Sequence, residues 1–415
     1  MQTREKTIVV GPRSLDHDLT RHFPDLMSFE STEQLHASPI FAPFRTEVDR
    51  IMSTVVVDAP AAVCGEPGDV PSTEIVRALA WNLERGNKLD GILDALRFDD
   101  RLKDRDVLLL TELDYGMARS GNRAVAHEIA TALKMNYAFA PVYIALQKGS
   151  GVEAEVEGDN TFSIHGLAIF SPWKLTNVHA VPLANGKDKM IGKEKRLGWL
   201  RALVADIEHP AGTFRAVTVH LDVHCSREHR RRQMRRIIEH LEGLPRIPTL
   251  IGGDWNTTTF NAQTAGHAIL GYARRVLMGI RNVAKHHFPH PDRYFESGMF
   301  NDLARHGYEY KTLNDHGVGT LHYHVESIEK NTNLGDWVPE WCFKFIFWAA
   351  RRVGGSISVK LDWFAGRDLS IAPGTKPATV QELRGEDGES LSDHDAITVD
   401  FVLDSKYGSS LLPDA

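Results

Sequence analysis

Two glycines followed by a carboxylate and an amide, Gly252-Gly253-Asp254-Trp255-Asn256, carry the chain's most explicit chemistry. The apolar stretch from Thr249 predicts a buried strand that ends where the glycines let the backbone turn, so that Asp254 and Asn256, two residues apart, project the same way. Such a pair suits a hydrated metal ion and a phosphate oxygen. A Gly-Gly-Asp turn is also a common structural device, so the rest of the chain must decide. Polar residues recur at the ends of other apolar runs. Asn82 and Glu84 follow Ala78–Trp81, Glu112 and Asp114 follow Val107–Leu110, and His220 and Asp222 follow Ala216–Val219. Asp362 sits within Val359–Phe364, and Ser392-Asp393-His394-Asp395 precedes a final apolar run. Strand ends that finish on one rim would gather all of them in a cleft.

Oxygen donors without paired thiolates or a His-x-x-x-His spacing favour a hard cation, Mg²⁺ with Mn²⁺ as substitute, over zinc. A phosphate ester is the natural substrate. Glu112 is the expected principal metal ligand, assisted by Asn82 and Asp393. His394, with Asp362 as orienting partner, is expected to donate to the phosphate or take a proton from water. Asp254 would position the attacking water, while Asn256 and His220 would donate to the non-bridging oxygens.

These residues need strands to hold them. The pattern predicts strands at Ile75–Leu83, Asp106–Leu110, Tyr137–Leu146, His165–Phe170, Leu200–Ile207, Phe214–Leu221, Ser358–Phe364 and Ala396–Val402. Helices are predicted at Lys88–Leu96, Asn122–Leu133 and Arg227–Leu241. In the last of these, Arg230, Arg231, Arg232, Arg235 and Arg236 lie largely off the apolar stripe and read as a solvated face. Residues 1–72, with scattered proline, read as an N-terminal extension and linker, 73–404 as the catalytic domain, and 405–415 as a tail. Inside the domain the strand pattern pauses between Asn256 and Lys360, an insertion centred on about 261–350. It contains the acid-free Arg274–His287 and the aromatic Trp341–Trp348, candidates for a substrate lid and an interfacial anchor; a buried element closing over the core is the simpler account of the aromatic run.

The 415 residues carry a net charge of −7, 42% hydrophobic and 25% charged residues, and an isoelectric point near 6.3. Global charge therefore attracts neither nucleic acid nor an anionic membrane, and any anionic substrate must be held locally. Cys64, Cys225 and Cys342 are far apart and odd in number, which argues against a disulfide framework and for a reducing, cytoplasmic setting. No apolar stretch reaches the roughly 20 residues of a transmembrane segment, and no export signal or obligate protein partner can be read.

In order and context the motifs Trp81-Asn82, Thr111-Glu112, Val219-His220-Leu221, Gly253-Asp254-Trp255-Asn256, Leu361-Asp362-Trp363-Phe364 and Ser392-Asp393-His394 resemble the endonuclease/exonuclease/phosphatase superfamily of magnesium-dependent hydrolases. The resemblance runs from about Glu74 to Val402. It implies a four-layered α/β/β/α sandwich of two mixed β-sheets flanked by helices, with a cleft at one end. It also implies Glu112 as metal ligand, Asn82 as first-strand asparagine, His220 facing phosphate, Asp254 and Asn256 as water-positioning pair, the pair Asp362 and His394, and Asp393 as a further metal-side carboxylate. Asp254 and His394 both remain candidates for the base.

Departures bear on substrate. Leu361-Asp362-Trp363 stands where inositol-phosphatase relatives carry Cys-Asp-Arg. Asp114 occupies a position where deoxyribonuclease relatives place a DNA-contacting arginine, and it would repel phosphate there. Arg119 or Arg123 is the expected compensation, against the simpler reading that Ser120 and Asn122 cap a helix; His165 is expected to line the cleft. The expected activity is a phosphodiesterase acting through water without a covalent intermediate, with nucleic acid slightly favoured as substrate. A phospholipid head group, cleaved as by a sphingomyelinase, and a catalytically inactive binding module are the alternatives.

Overall fold

Strands buried on both faces read as continuous apolar runs, and the chain's longest runs have that fate. In β3 (Ile75–Arg85), Ala78 and Ala80 enter one core while Leu79, Trp81 and Leu83 enter another. The same split divides Val107 and Leu109 from Leu108 and Leu110 in β4 (Val107–Tyr115). The first core lies between two sheets; the second lies under helices. The result is an α/β/β/α sandwich. The structure, a computed structural model, describes residues 8–11, 13–60, 74–257, 261, 265–324, 348 and 351–404.

The first sheet orders its strands as β1 (Ile8–Val10), β2 (Thr54–Asp58), β5 (Asn136–Ala145), β6 (Ile164–Ser171), β4, β3, β17 (Ala396–Leu403) and β15 (Leu369–Ile371). Short β8 (Arg196–Gly198) and β16 (Ala378–Val380) pair with β5 and β17. The second sheet runs β14 (Asp362–Arg367), β11 (Thr249–Asp254), β10 (Gly212–His220), β9 (Arg201–His209) and β7 (Leu175–Pro182). A separate ribbon pairs β12 (Leu321–His324) with β13 (Ser356–Val359).

Helices cover both outer faces. Against the first sheet pack α1 (Phe23–Leu26), α2 (Thr32–Ala37), α3 (Arg45–Ser53), α4 (Leu89–Phe98) and α5 (Val125–Leu133), through residues such as Ile51, Ile92 and Ile129. Against the second lies α6 (Arg227–Glu242), whose Met234, Ile237, Ile238 and Leu241 are buried in one cluster with that sheet's side chains. The insertion adds α7 (Ala265–Leu277), α8 (Ile280–Asn282) and α9 (Ser297–Arg305).

Two expectations are corrected. Residues 1–72 are not simply an extension: β2 pairs with β5, opposing Val56 to Phe139, and Leu19, Phe23, Leu35 and Ile51 lie in the core under the first sheet. The expected arginine face of α6 is solvated only in part, with Arg232 and Arg236 exposed. Arg230 is fully buried against Glu296, and Arg231 and Arg235 both bond Asp302 of α9, so this face docks the insertion. Strand β7 lacks a sequence-level counterpart. The aromatic run Trp341–Trp348 lies outside the described residues except for Trp348.

Candidate active site

Register explains how scattered residues meet. The parallel pair β3–β4 ends on one rim, with Asn82 opposite Thr111, and the parallel pair β10–β11 sets His220 directly opposite Asp254. Antiparallel β14 begins where β11 ends, placing Asp362 opposite Asp254. Antiparallel β17 starts beside the end of β3, with Ile397 opposite Ala80, so the loop holding Ser392–His394 arrives at the same rim.

Irregular backbone aims the side chains. The β3–β4 register slips between Asn82 and Arg85, and β4–β6 slips between Thr111 and Leu113. Glu112 lies at the second slip with φ of 56°, in the left-handed region that an ordinary side chain enters at a cost of roughly 1–2 kcal/mol. A bulge of this kind re-aims a side chain at the end of a strand.

Asp254 is the hub where the two rims join. Its Oδ1 accepts from the Asn256 backbone N–H at 2.9 Å. Its Oδ2 lies 3.2 Å from Asn82 Nδ2, 3.3 Å from Asn256 Nδ2, 3.5 Å from His220 Nε2 and 3.9 Å from His394 Nε2. Asn82 Nδ2 also donates to Glu112 Oε1 at 3.1 Å, and His220 Nε2 stands 3.9 Å from the same oxygen. His394 Nδ1 is 2.8 Å from Asp362 Oδ2. Asp254, Asp362 and His394 present ligand atoms within 4.8 Å of one another.

Buried partners hold this geometry. Ser392 Oγ donates to Asn82 O and accepts from the His394 N–H, while Trp81 Nε1 donates to His394 O. Thr320, from the insertion, accepts the N–H groups of Leu361 and Asp362 at its Oγ1 and the Asp395 N–H at its carbonyl. Next to it His322 bridges Ser358 Oγ and Asp395 Oδ2. None of Ser392, Thr320 or His322 was marked by a strand-end pattern strong enough to assign a role.

Burial penalises the Glu112 carboxylate, yet the charges of Arg85, His220 and His165 and the Asn82 hydrogen bond hold it below the usual range. Glu84 goes the other way, pushed up to about 8 by burial and by the charge of Asp393. Burial would discharge His394, but the carboxylates of Asp362, Asp254 and Asp393 outweigh it and raise the imidazole well above its ordinary value. Burial raises Asp362 as well. Because three carboxylates surround the histidine, the pair's proton resides on His394.

The set fits a hard divalent cation. Glu84, Glu112, Asp254 and Asp393 crowd closely enough for their charges to act on one another, and Asp362 Oδ1 is buried without a hydrogen-bond partner among the described residues. All the carboxylate donors are oxygen.

The other sequence-predicted positions are turned to protein partners. Arg119 Nε and Nη2 bond Asp114 at 2.7 and 3.0 Å, and its Nη1 reaches Glu153 and Glu194. Asp114, expected to repel phosphate at the cleft, has 0% side-chain exposure. His165 bonds Asp114 at 2.7 Å and stacks on Tyr143, and burial lowers its imidazole. Arg123 bonds Glu128 and Asp90. Ser120 and Asn122 do not cap the following helix; Ser120 Oγ donates to Asp114 of β4, and Asn122 Oδ1 accepts from the Thr161 N–H.

Acid-rich, backed by donors and set where the ends of two sheets join, this constellation is that of a hydrolase acting on phosphoester bonds. The profile of the Endonuclease/Exonuclease/phosphatase family matches residues 79–394, and the chain belongs to that family. No curated protein sequence matches the chain. Among solved structures, it is similar to an endonuclease/exonuclease/phosphatase from Beutenbergia cavernae, at 15% identity over 80% of this chain and 72% of that one, with a TM-score of 0.45. It is also similar to the catalytic domain of human Nocturnin, at 14% identity, 80% and 96% coverage and a TM-score of 0.42. Sphingomyelinase C from Streptomyces griseocarneus matches at 13% identity, 79% and 99% coverage and a TM-score of 0.40.

Proposed function

We propose that this protein is a Mg²⁺-dependent phosphodiesterase, active with Mn²⁺ as substitute, in which water attacks phosphorus and no covalent enzyme intermediate forms. The observation that carries the reading is the convergence of Asn82, His220, Asn256 and His394 nitrogens on one Asp254 carboxylate beside Glu112. Glu112 and Asp393 would hold the ion. When bound, it supplies neutralisation of the phosphate and of the charge developing on the leaving oxygen. Asn82 directs its amide N–H at Glu112 and Asp254 while its Oδ1 accepts from the Glu84 N–H, so its role is to position both carboxylates. Asn256 likewise donates to Leu221 O and Asp254, holding that carboxylate in place. Asp254 takes the proton of the attacking water, His394 as imidazolium donates to phosphate oxygen, and His220 donates to a non-bridging oxygen.

A second reading concerns the substrate. Nucleic acid is slightly favoured by sequence; of the basic residues that could hold its backbone, Arg274, Arg281 and Lys285 are exposed, whereas four others are engaged with the protein itself. Lys189 lies 3.3 Å from Asp222, Lys195 donates to Met27 O and Phe29 O, and Arg119 and Arg123 bond acids. The phospholipid head group is the alternative substrate. The test is hydrolysis of an aryl phosphodiester with Mg²⁺, after chelation and after metal is restored, followed by plasmid DNA, RNA and phospholipid vesicles. Chelation abolishing turnover and metal restoring it is the expected result; turnover indifferent to chelator contradicts the proposal.

A further inference from the structure

We propose that the outer face of the insertion docks on anionic lipid bilayers, a property separate from the catalytic reading and independent of it. In helix α7, His267, Leu270, Arg274 and Leu277 are exposed, at the spacing of one helix face. Leu270 is 69% exposed and Leu277 88%. An exposed leucine alone is ordinary. Here the outward stripe pairs leucines with cations, and a second segment extends it. Arg281 Nε donates to Arg352 O at 3.2 Å, which brings Arg352 beside α8; Arg352 lies over the Trp348 ring at 4.2 Å, and that ring is 42% exposed.

The charge of this face opposes that of the chain. No Asp or Glu occurs from Ala265 to Pro291 or from Arg351 to Leu361, whereas the whole protein carries −7. Arg274, Arg281 and Arg352 are all exposed. A local basic region on an acidic protein selects an anionic partner. Nucleic acid would use the arginines but gain nothing from outward leucines; a bilayer takes leucine and tryptophan into its head-group boundary while anionic lipids meet the arginines. The insertion is also bonded to the cleft, since Thr320 and His322 hold Asp362 and Asp395, so a docked insertion keeps the cleft beside the surface.

The experiment is sedimentation of the full chain with phosphatidylcholine vesicles, with and without phosphatidylserine. Expected is binding to the phosphatidylserine vesicles, weakened about tenfold or more by raising salt and by Arg274→Glu. Leu270→Ser/Leu277→Ser, at exposed positions, is expected to keep the wild-type melting temperature yet lose binding by about tenfold or more. Glu112→Gln, which tests the catalytic reading, should bind vesicles like wild type, so failure of either idea is told apart. Absent binding, binding unchanged by the leucine variant, equal binding to RNA that survives the leucine changes, or a self-association that those changes abolish would each overturn the proposal.

Discussion

Replacing Arg119 by methionine separates a structural ion pair from a substrate contact. The side chains of Arg119 and Asp114 are 1% and 0% exposed. Burial opposes ionisation of Asp114, but the Arg119 charge and the His165 hydrogen bond lower it from 3.8 to about 2. At about 1.4 kcal/mol per pH unit this corresponds to about 2 kcal/mol of stability. Losing the guanidinium also strands a buried carboxylate, which brings the expected loss to about 3–5 kcal/mol at neutral pH. Because the folded Asp114 pKa is depressed, its contribution is complete above 3.8 and disappears as pH falls toward 2. Urea titrations of wild type and Arg119→Met at pH 7 and at successively lower pH should therefore show a wide gap that narrows as the stranded Asp114 of the variant protonates and is least near pH 2. A variant with wild-type urea midpoint and a raised KM would refute this, and would put Arg119 in the cleft.

Further outcomes follow from other contacts. Gly253→Ala sets a Cβ 2.3 Å from Val219 O at φ of 126°, so thermal unfolding should show a loss of more than about 2 kcal/mol, together with lost activity. Asp302→Asn releases Arg231 and Arg235 and should speed limited proteolysis within the insertion, with a stability loss of about 1–2 kcal/mol because both arginines are partly exposed. If His394 acts as imidazolium, kcat is retained while pH rises past the ordinary histidine value of 6.5 and falls only as pH passes the raised value of His394; a kcat profile that falls at 6.5 is the contrary result.

The two-sheet core was legible where both faces of a strand are buried, as in Val107–Leu110, because the run itself signals burial. The rim residues were legible for the same reason: Asn82, Glu112, His220 and Asp254 each interrupt or end such a run. What escaped were contacts without local pattern. Thr320 reaches Asp362 from inside the insertion, and its neighbours carry no periodicity to announce it. Arg119 and Arg123 looked available because nothing in their own loop reveals Glu194 or Asp90. Strand β2 was hidden because Thr54–Asp58 is short and its partner β5 is distant in the chain.

The most direct measurement is kcat/KM for an aryl phosphodiester in Asp254→Asn and His394→Ala at saturating Mg²⁺, with folding verified for each. Each is expected to fall by more than about a hundredfold, roughly 3 kcal/mol of transition-state stabilisation. Near wild-type turnover in either folded variant would contradict the placement of the chemistry at this rim.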